Sequence, residues 1–114
     1  MENDLKARTK NFAIDIINFC KGLGKDYISQ TLAKQLLSSG TSVGANTRSA
    51  FRGRSNKEFI AKIGIVIEEA DECVYWLELI EETIQHNTNT IKSLIKEAGE
   101  LVAIFVSISK KNRS

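Results

Sequence analysis

Residues 35–46, Gln35-Leu36-Leu37-Ser38-Ser39-Gly40-Thr41-Ser42-Val43-Gly44-Ala45-Asn46, decide how this chain is read. Taken alone, the run from Ser38 to Ala45 has the Ser, Gly and Thr content of a loop. Its surroundings argue otherwise. Ile28, Leu32, Gln35, Leu36, Ser39, Val43, Asn46 and Ala50 keep one helical phase straight through it. The stretch is therefore expected to be the middle of one long helix, from about Tyr27 to Phe51.

Working outward, the same period appears three more times. Leu5, Phe12, Ile16, Phe19, Cys20 and Leu23 form a stripe upstream, and Gly22 and Gly24 end it. Downstream, Ser55 followed three residues later by Glu58 has the spacing of a capping box. It opens a helix with inner residues Phe59, Ile63, Val66, Ile67, Ala70, Val74, Leu77 and Ile84, ending near Gln85. The polar stretch His86-Asn87-Thr88-Asn89-Thr90 then leads to a fourth stripe of Ile91, Leu94, Ile95, Ala98, Leu101, Val102, Phe105 and Ile108. Four long helices with short connections imply an all-α, up-down-up-down bundle, with residues 1–114 as a single domain. Pro is absent and Gly numbers 7, which argues against disorder and against a turn-rich β fold.

The sequence also predicts self-association. A helix in a monomeric bundle needs one apolar stripe. The third helix carries a second one, Ile65, Trp76 and Leu79, and the second helix carries Ala33, Leu37, Gly40, Gly44 and Phe51. Gly40 and Gly44, four residues apart, would let a partner backbone approach closely. Ile65, Trp76, Leu79, Leu37, Gly40 and Gly44 are thus the expected interface between copies. On the inner stripe, Asn46 and Gln35 are expected to form a structural polar network, because buried amides need partners.

Charge is segregated. No Lys or Arg lies between Lys62 and Lys92, where Glu68, Glu69, Asp71, Glu72, Glu78, Glu81 and Glu82 gather. In an up-and-down bundle one end would hold Lys6, Arg8, Lys10, Arg48, Arg52, Arg54, Lys57, Lys62, Lys110, Lys111 and Arg113 against only Glu2, Asp4 and Glu58. That end carries +8 and the remainder −6, giving the net +2 of the whole chain. A basic end attracts polyanions, and guanidinium groups pair bidentately with phosphates. The expected nucleic-acid-binding residues are Arg48, Arg52, Arg54, Lys57, Lys110, Lys111 and Arg113.

No catalytic constellation is present, and neither a cofactor nor a metal is expected. His86 is the only histidine and is read as a complement to a helix C-terminus. Gly22-Leu23-Gly24-Lys25 lacks the length and the Ser/Thr of a phosphate-binding loop. Cys20 and Cys73 are far apart and read as reduced thiols of a cytoplasmic protein. No apolar run is long enough for a membrane span, and the N-terminus has no secretory pattern.

The stretch 35–46, together with Asn56-Lys57-Glu58-Phe59-Ile60-Ala61-Lys62-Ile63 and Glu69-Ala70-Asp71-Glu72-Cys73-Val74-Tyr75-Trp76-Leu77-Glu78-Leu79-Ile80, resembles a known bacterial family. It is that of the four-helix-bundle proteins encoded in 23S ribosomal RNA intervening sequences, often labelled S23 ribosomal proteins. It includes the accessory variability determinant of diversity-generating retroelements. The resemblance implies an up-and-down bundle, a barrel-like homopentamer and no catalytic residues. In the retroelement branch it implies binding of nucleic acid and of a reverse transcriptase through a basic surface; elsewhere the role is largely undefined. The family usually has an acid three positions after the signature asparagine, where this chain has Ser49.

The expected function is that of a non-enzymatic, homo-oligomeric protein associated with RNA or DNA through its basic end. The alternative is a protein-interaction scaffold without a nucleic-acid role.

Overall fold

The computed structural model describes residues 1–84 and 88–113. Among these it is all-α, with helices α1 (Glu2–Lys21), α2 (Tyr27–Phe51), α3 (Asn56–Thr83) and α4 (Thr88–Asn112) and no strand. The Ser/Gly/Thr run is helical throughout. Local chemistry fixes the helix starts. Asp26 caps α2, its carboxylate accepting the Ser29 N–H at 3.1 Å, and that bond holds the acid below its ordinary pKa. Ser55 caps α3, its hydroxyl oxygen accepting the Glu58 N–H at 3.1 Å. The Glu58 carboxylate returns to the N–H of Arg54 at 2.6 Å, one residue earlier than a capping box prescribes.

Helices adjacent in sequence pack side by side, and a smaller contact joins α4 to α1. Cys20 donates its S–H to the Ala33 carbonyl at 3.6 Å, Ile16 lies against Gly40, and Thr9 lies against Gly44, so α1 and α2 run in opposite directions. Between α2 and α3, Ser39 donates to Glu72 at 3.3 Å and the rings of Phe51 and Phe59 lie 5.5 Å apart, again in opposite order. The core is filled by Phe12, Ile16, Leu36, Val43, Ile63, Leu77, Ile80, Ile91, Leu101 and Phe105, all fully buried. Each such side chain contributes about 1.5–3 kcal/mol through burial.

The inner stripes of α1, α3 and α4 face the core, and most of their residues are buried. Cys20, Phe59, Ile67, Val74, Ile84, Ile95 and Val102 are half-buried against it, and Cys73 and Ile80 join the buried set on α3. The face of α2 needs correction. Gln35 and Ile28 are exposed, while Ala33, Gly40, Gly44 and Thr47 are buried. The cause is geometric: α2 has a neighbour on each side. What reads as two separate stripes is one broad face, with Ala33, Gly40 and Gly44 turned to α1 and Ser39 to α3.

Two expectations change with it. Gly40 and Gly44 do admit a close backbone, but it is that of the chain's own α1. A Cβ at Gly40 would come within 2.9 Å of Ile16, and one at Gly44 within 3.4 Å of the Thr9 carbonyl. These glycines therefore cannot face a second copy. The polar network expected of Asn46 and Gln35 holds only in part: Asn46 finds a backbone carbonyl, whereas Gln35 is exposed and needs no buried partner. Asn46 is half-buried and donates to the Ser42 carbonyl of its own helix at 2.9 Å. The buried polar positions include Thr9 and Thr47, whose hydroxyls donate to the carbonyls of Leu5 (2.8 Å) and Val43 (2.7 Å). This back-bonding satisfies the hydroxyl and leaves the methyl group free to pack. The reading of His86 lies outside the described residues.

Candidate functional site

Where α2 ends and α3 begins, three arginines come together for simple reasons of spacing. Arg48 and Arg52 are one helical turn apart, about 6 Å along the axis. Arg52 sits at the C-cap of α2, where a positive charge complements the helix dipole. Arg54 follows in the short turn. With Lys62 of α3 they line a groove of about 640 Å³ between the two helices, floored by Ala45, Ser49, Gly53 and Ala61. Glu58 is the one acid in its wall, and its carboxylate is turned to the Arg54 N–H.

Arg48 also reaches a second groove, of about 500 Å³, on the other side of α2. This one runs between α1 and α2 and is lined by Lys6, Lys10, Thr41, Gly44 and Ala45 among others, with no acid. Lys6 is held by Glu2 at 2.7 Å, an exposed contact worth little. Beyond α1, facing α4, the character changes. A groove of about 580 Å³ there is lined by Asp15, Asn18 and Ser93 and, among the described residues, has no base.

Of the expected phosphate-binding residues, the structure thus brings Arg48, Arg52 and Arg54 into one groove. Lys57, Lys110, Lys111 and Arg113 are exposed and share that end of the molecule, because Asn56 donates to the Asn112 carbonyl at 2.9 Å. They line neither groove. Lys6, Lys10 and Lys62 belong to the face but escape a reading based on arginine spacing alone. The signal was present in the sequence as their membership of the basic end. Arg8 must be subtracted from that end. Its guanidinium donates two bonds to Glu97 at 2.8 Å and one to Glu100 at 2.9 Å, all from α4. The Glu97 hydrogen bond, against a smaller desolvation, drives its pKa further up.

The expected interface residues do not form one patch. Ile65 lines the α2–α3 groove, whereas Leu37 lies with Ile17 and Cys20 in a groove between α1 and α2. Both are 37% exposed. Trp76 and Leu79 are half-buried on α3, and Trp76 packs against the core with its ring 5.1 Å from that of Tyr75.

Redox or metal chemistry has little to work with among the described residues. Cys20 and Cys73 are free thiols. Burial pushes Cys20 up to about 11 and Cys73, with help from Glu69 and Glu72, up to about 12, so neither is a thiolate at neutral pH. No group of three or more His, Cys, Asp or Glu side chains among the described residues could hold a metal ion. No helix there is long and apolar enough to cross a membrane.

The 23S rRNA-intervening sequence protein family matches residues 1–107. The chain belongs to that family. The crystal structure of a protein of unknown function from the S23 ribosomal protein family of Bacteroides thetaiotaomicron VPI-5482 is similar, with a TM-score of 0.88 and 36% identity. The likeness covers 96% of this chain and 97% of that one. No functionally curated protein matches. For this family member the resemblance read from the two middle helices therefore holds, and with it the four-helix fold.

Proposed function

We propose that this chain is a non-enzymatic, self-associating protein that binds nucleic acid through phosphate contacts. One observation carries the reading: Arg48, Arg52, Arg54 and Lys62 line a single groove whose only acid, Glu58, is engaged with backbone. Such a groove binds a polyanion by counterion release, without reading bases. Arg52→Glu/Arg54→Glu is expected to abolish retention of a structured RNA at low salt, with the helical circular dichroism unchanged. Unchanged retention overturns the proposal.

The helices would follow an up-down-up-down course, as the α1–α2 and α2–α3 pairings and the Arg8–Glu97 contact support. Self-association would use the α3 edge that carries Ile65, Trp76 and Leu79, giving the pentamer that the resemblance implies. Because Trp76 also packs inward and Ile65 lines the basic groove, Leu79→Glu is the cleaner probe. A scaffold role has its own supporting feature in Tyr75, 54% exposed beside Trp76. Retention of nucleic acid separates the two readings, because a scaffold has no need of Arg52 and Arg54.

A further inference from the structure

The two basic grooves are not independent. Ala45 and Arg48 line both, and Thr41, Gly44 and Ser49 complete the strip of α2 that separates them. Apart from Arg48 that strip carries only small side chains, so the ridge between the two grooves is low. Lys6 and Lys10 stand on one side of the ridge, and Arg52, Arg54 and Lys62 on the other. Among the described residues no aromatic side chain lines either groove.

That combination discriminates between forms of nucleic acid. Single strands are held by bases stacking on aromatic platforms beside a basic track. A duplex hides its bases and offers a regular double row of phosphates, recognised by shape and charge. A saddle with bases on both flanks and no ring to stack on fits the second. The strip from Thr41 to Arg54 runs about 20 Å at about 1.5 Å per residue, the length of about 6 base pairs at about 3.4 Å each, so one protomer would meet a short duplex segment.

We infer that this saddle, centred on Arg48 and flanked by Lys6 and Lys10 of α1, seats a nucleic-acid duplex by its backbone in preference to a single strand. The inference rests on the proposed nucleic-acid role and adds its substrate form and its α1 contacts.

Anisotropy of a labelled duplex of about 20 base pairs, and of one strand of it, between about 50 and 200 mM salt tests this. Four variants accompany the wild type: Lys6→Ala/Lys10→Ala, Arg52→Ala/Arg54→Ala, Ala45→Glu on the ridge, and Lys92→Ala as a charge control on α4. The duplex is expected to bind more tightly than the strand. The slope of log K against log salt is expected to shrink by about 1 for each base removed at either flank and to be unchanged in the control. Ala45→Glu, at an exposed helical position, is expected to weaken both forms. Tighter binding of the strand, or a wild-type slope for Lys6→Ala/Lys10→Ala while Arg52→Ala/Arg54→Ala is impaired, overturns this inference and leaves the broader proposal standing. Absence of salt-sensitive binding to either probe overturns both.

Discussion

The two long edges of α2 are built from the same kind of residue and have opposite fates. On the edge toward α1, Ala33, Gly40 and Gly44 are buried under a neighbouring helix. Farther round the helix, Ala45 and Ser49 stay at the surface as the floor of a basic groove. Small side chains bring two surfaces together when a complementary helix is available. When none is, they leave a shallow trough that longer neighbours can line. Composition does not separate the two cases; the facing element does, here Ile16 and Thr9 in one instance and open solvent in the other.

The packed edge should be the fragile one. Ile16 is fully buried, and Ile16→Ala is expected to cost about 2–5 kcal/mol in urea unfolding. Gly40→Ala forces a Cβ to 2.9 Å from Ile16 Cγ2 and 3.1 Å from its Cβ, which is not a flexible chain end. Its overpacking cost of about 1–3 kcal/mol exceeds the helix-propensity gain of about 1 kcal/mol, so a net loss is expected. In an Ile16→Ala background the same change should become stabilising, because the new methyl group fills vacated space. Gly44→Ala meets only ordinary contact distance and is expected to stabilise by up to about 1 kcal/mol. Equal effects at Gly40 and Gly44, or strict additivity with Ile16, would break the account of this edge.

A second test probes the interior that this edge helps to close. Cys73 is fully buried, and its thiol is pushed up to about 12 from an ordinary 9.0 by burial first and then by Glu69, Glu72 and Cys20. The folded state therefore keeps a proton that the unfolded chain loses earlier. Stability is unaffected by this group below pH 9 and falls as pH rises from 9 toward 12, by about 1.4 kcal/mol per unit where the difference is complete. The slope of unfolding free energy against pH should be shallower in Cys73→Ala, although that variant is less stable at neutral pH. Identical slopes would mean that water already reaches the thiol.

These edges also mark how far the sequence can be read. Helix α2 was legible to its ends, and the Ser55 start of α3 was legible because the cap is a local bond between a side chain and a backbone N–H three residues on. The inner stripes of α1, α3 and α4 were legible because Leu, Ile, Val and Phe contrast with their neighbours. On α2 the contrast fades. Ala, Gly, Ser and Thr carry little hydrophobic signal, so Gln35 was placed inside and Gly40 and Gly44 outside a core in which the reverse holds. The basic end was visible as a count, but which bases share a groove depends on contacts between distant residues. Arg8 shows this best: it reads as a free cation until Glu97 and Glu100, some ninety residues away, are found beside it.

The smallest expected effect on stability is the most informative about the open edge. Ser49 is half-buried on the floor of the α2–α3 groove, at the position where the family resemblance implies an acid. Ser49→Glu would place a carboxylate one residue after Arg48 and three before Arg52, on a helical face where a Glu followed by Arg at that spacing contributes about 0.2–0.5 kcal/mol. Unfolding free energy is therefore expected to change by no more than about 0.5 kcal/mol, because that pairing is offset by the unfavourable position of an acid in the last turn of α2. Binding of a polyanion should nevertheless weaken and its salt dependence flatten, because the new charge competes for the guanidinium groups that would meet phosphate. A loss of stability as large as that of Gly40→Ala would mean that the two edges of α2 are packed alike and that the groove is part of the structural core. Weakened binding on an unperturbed fold would separate the edges by function as the buried and open faces already separate them by contact.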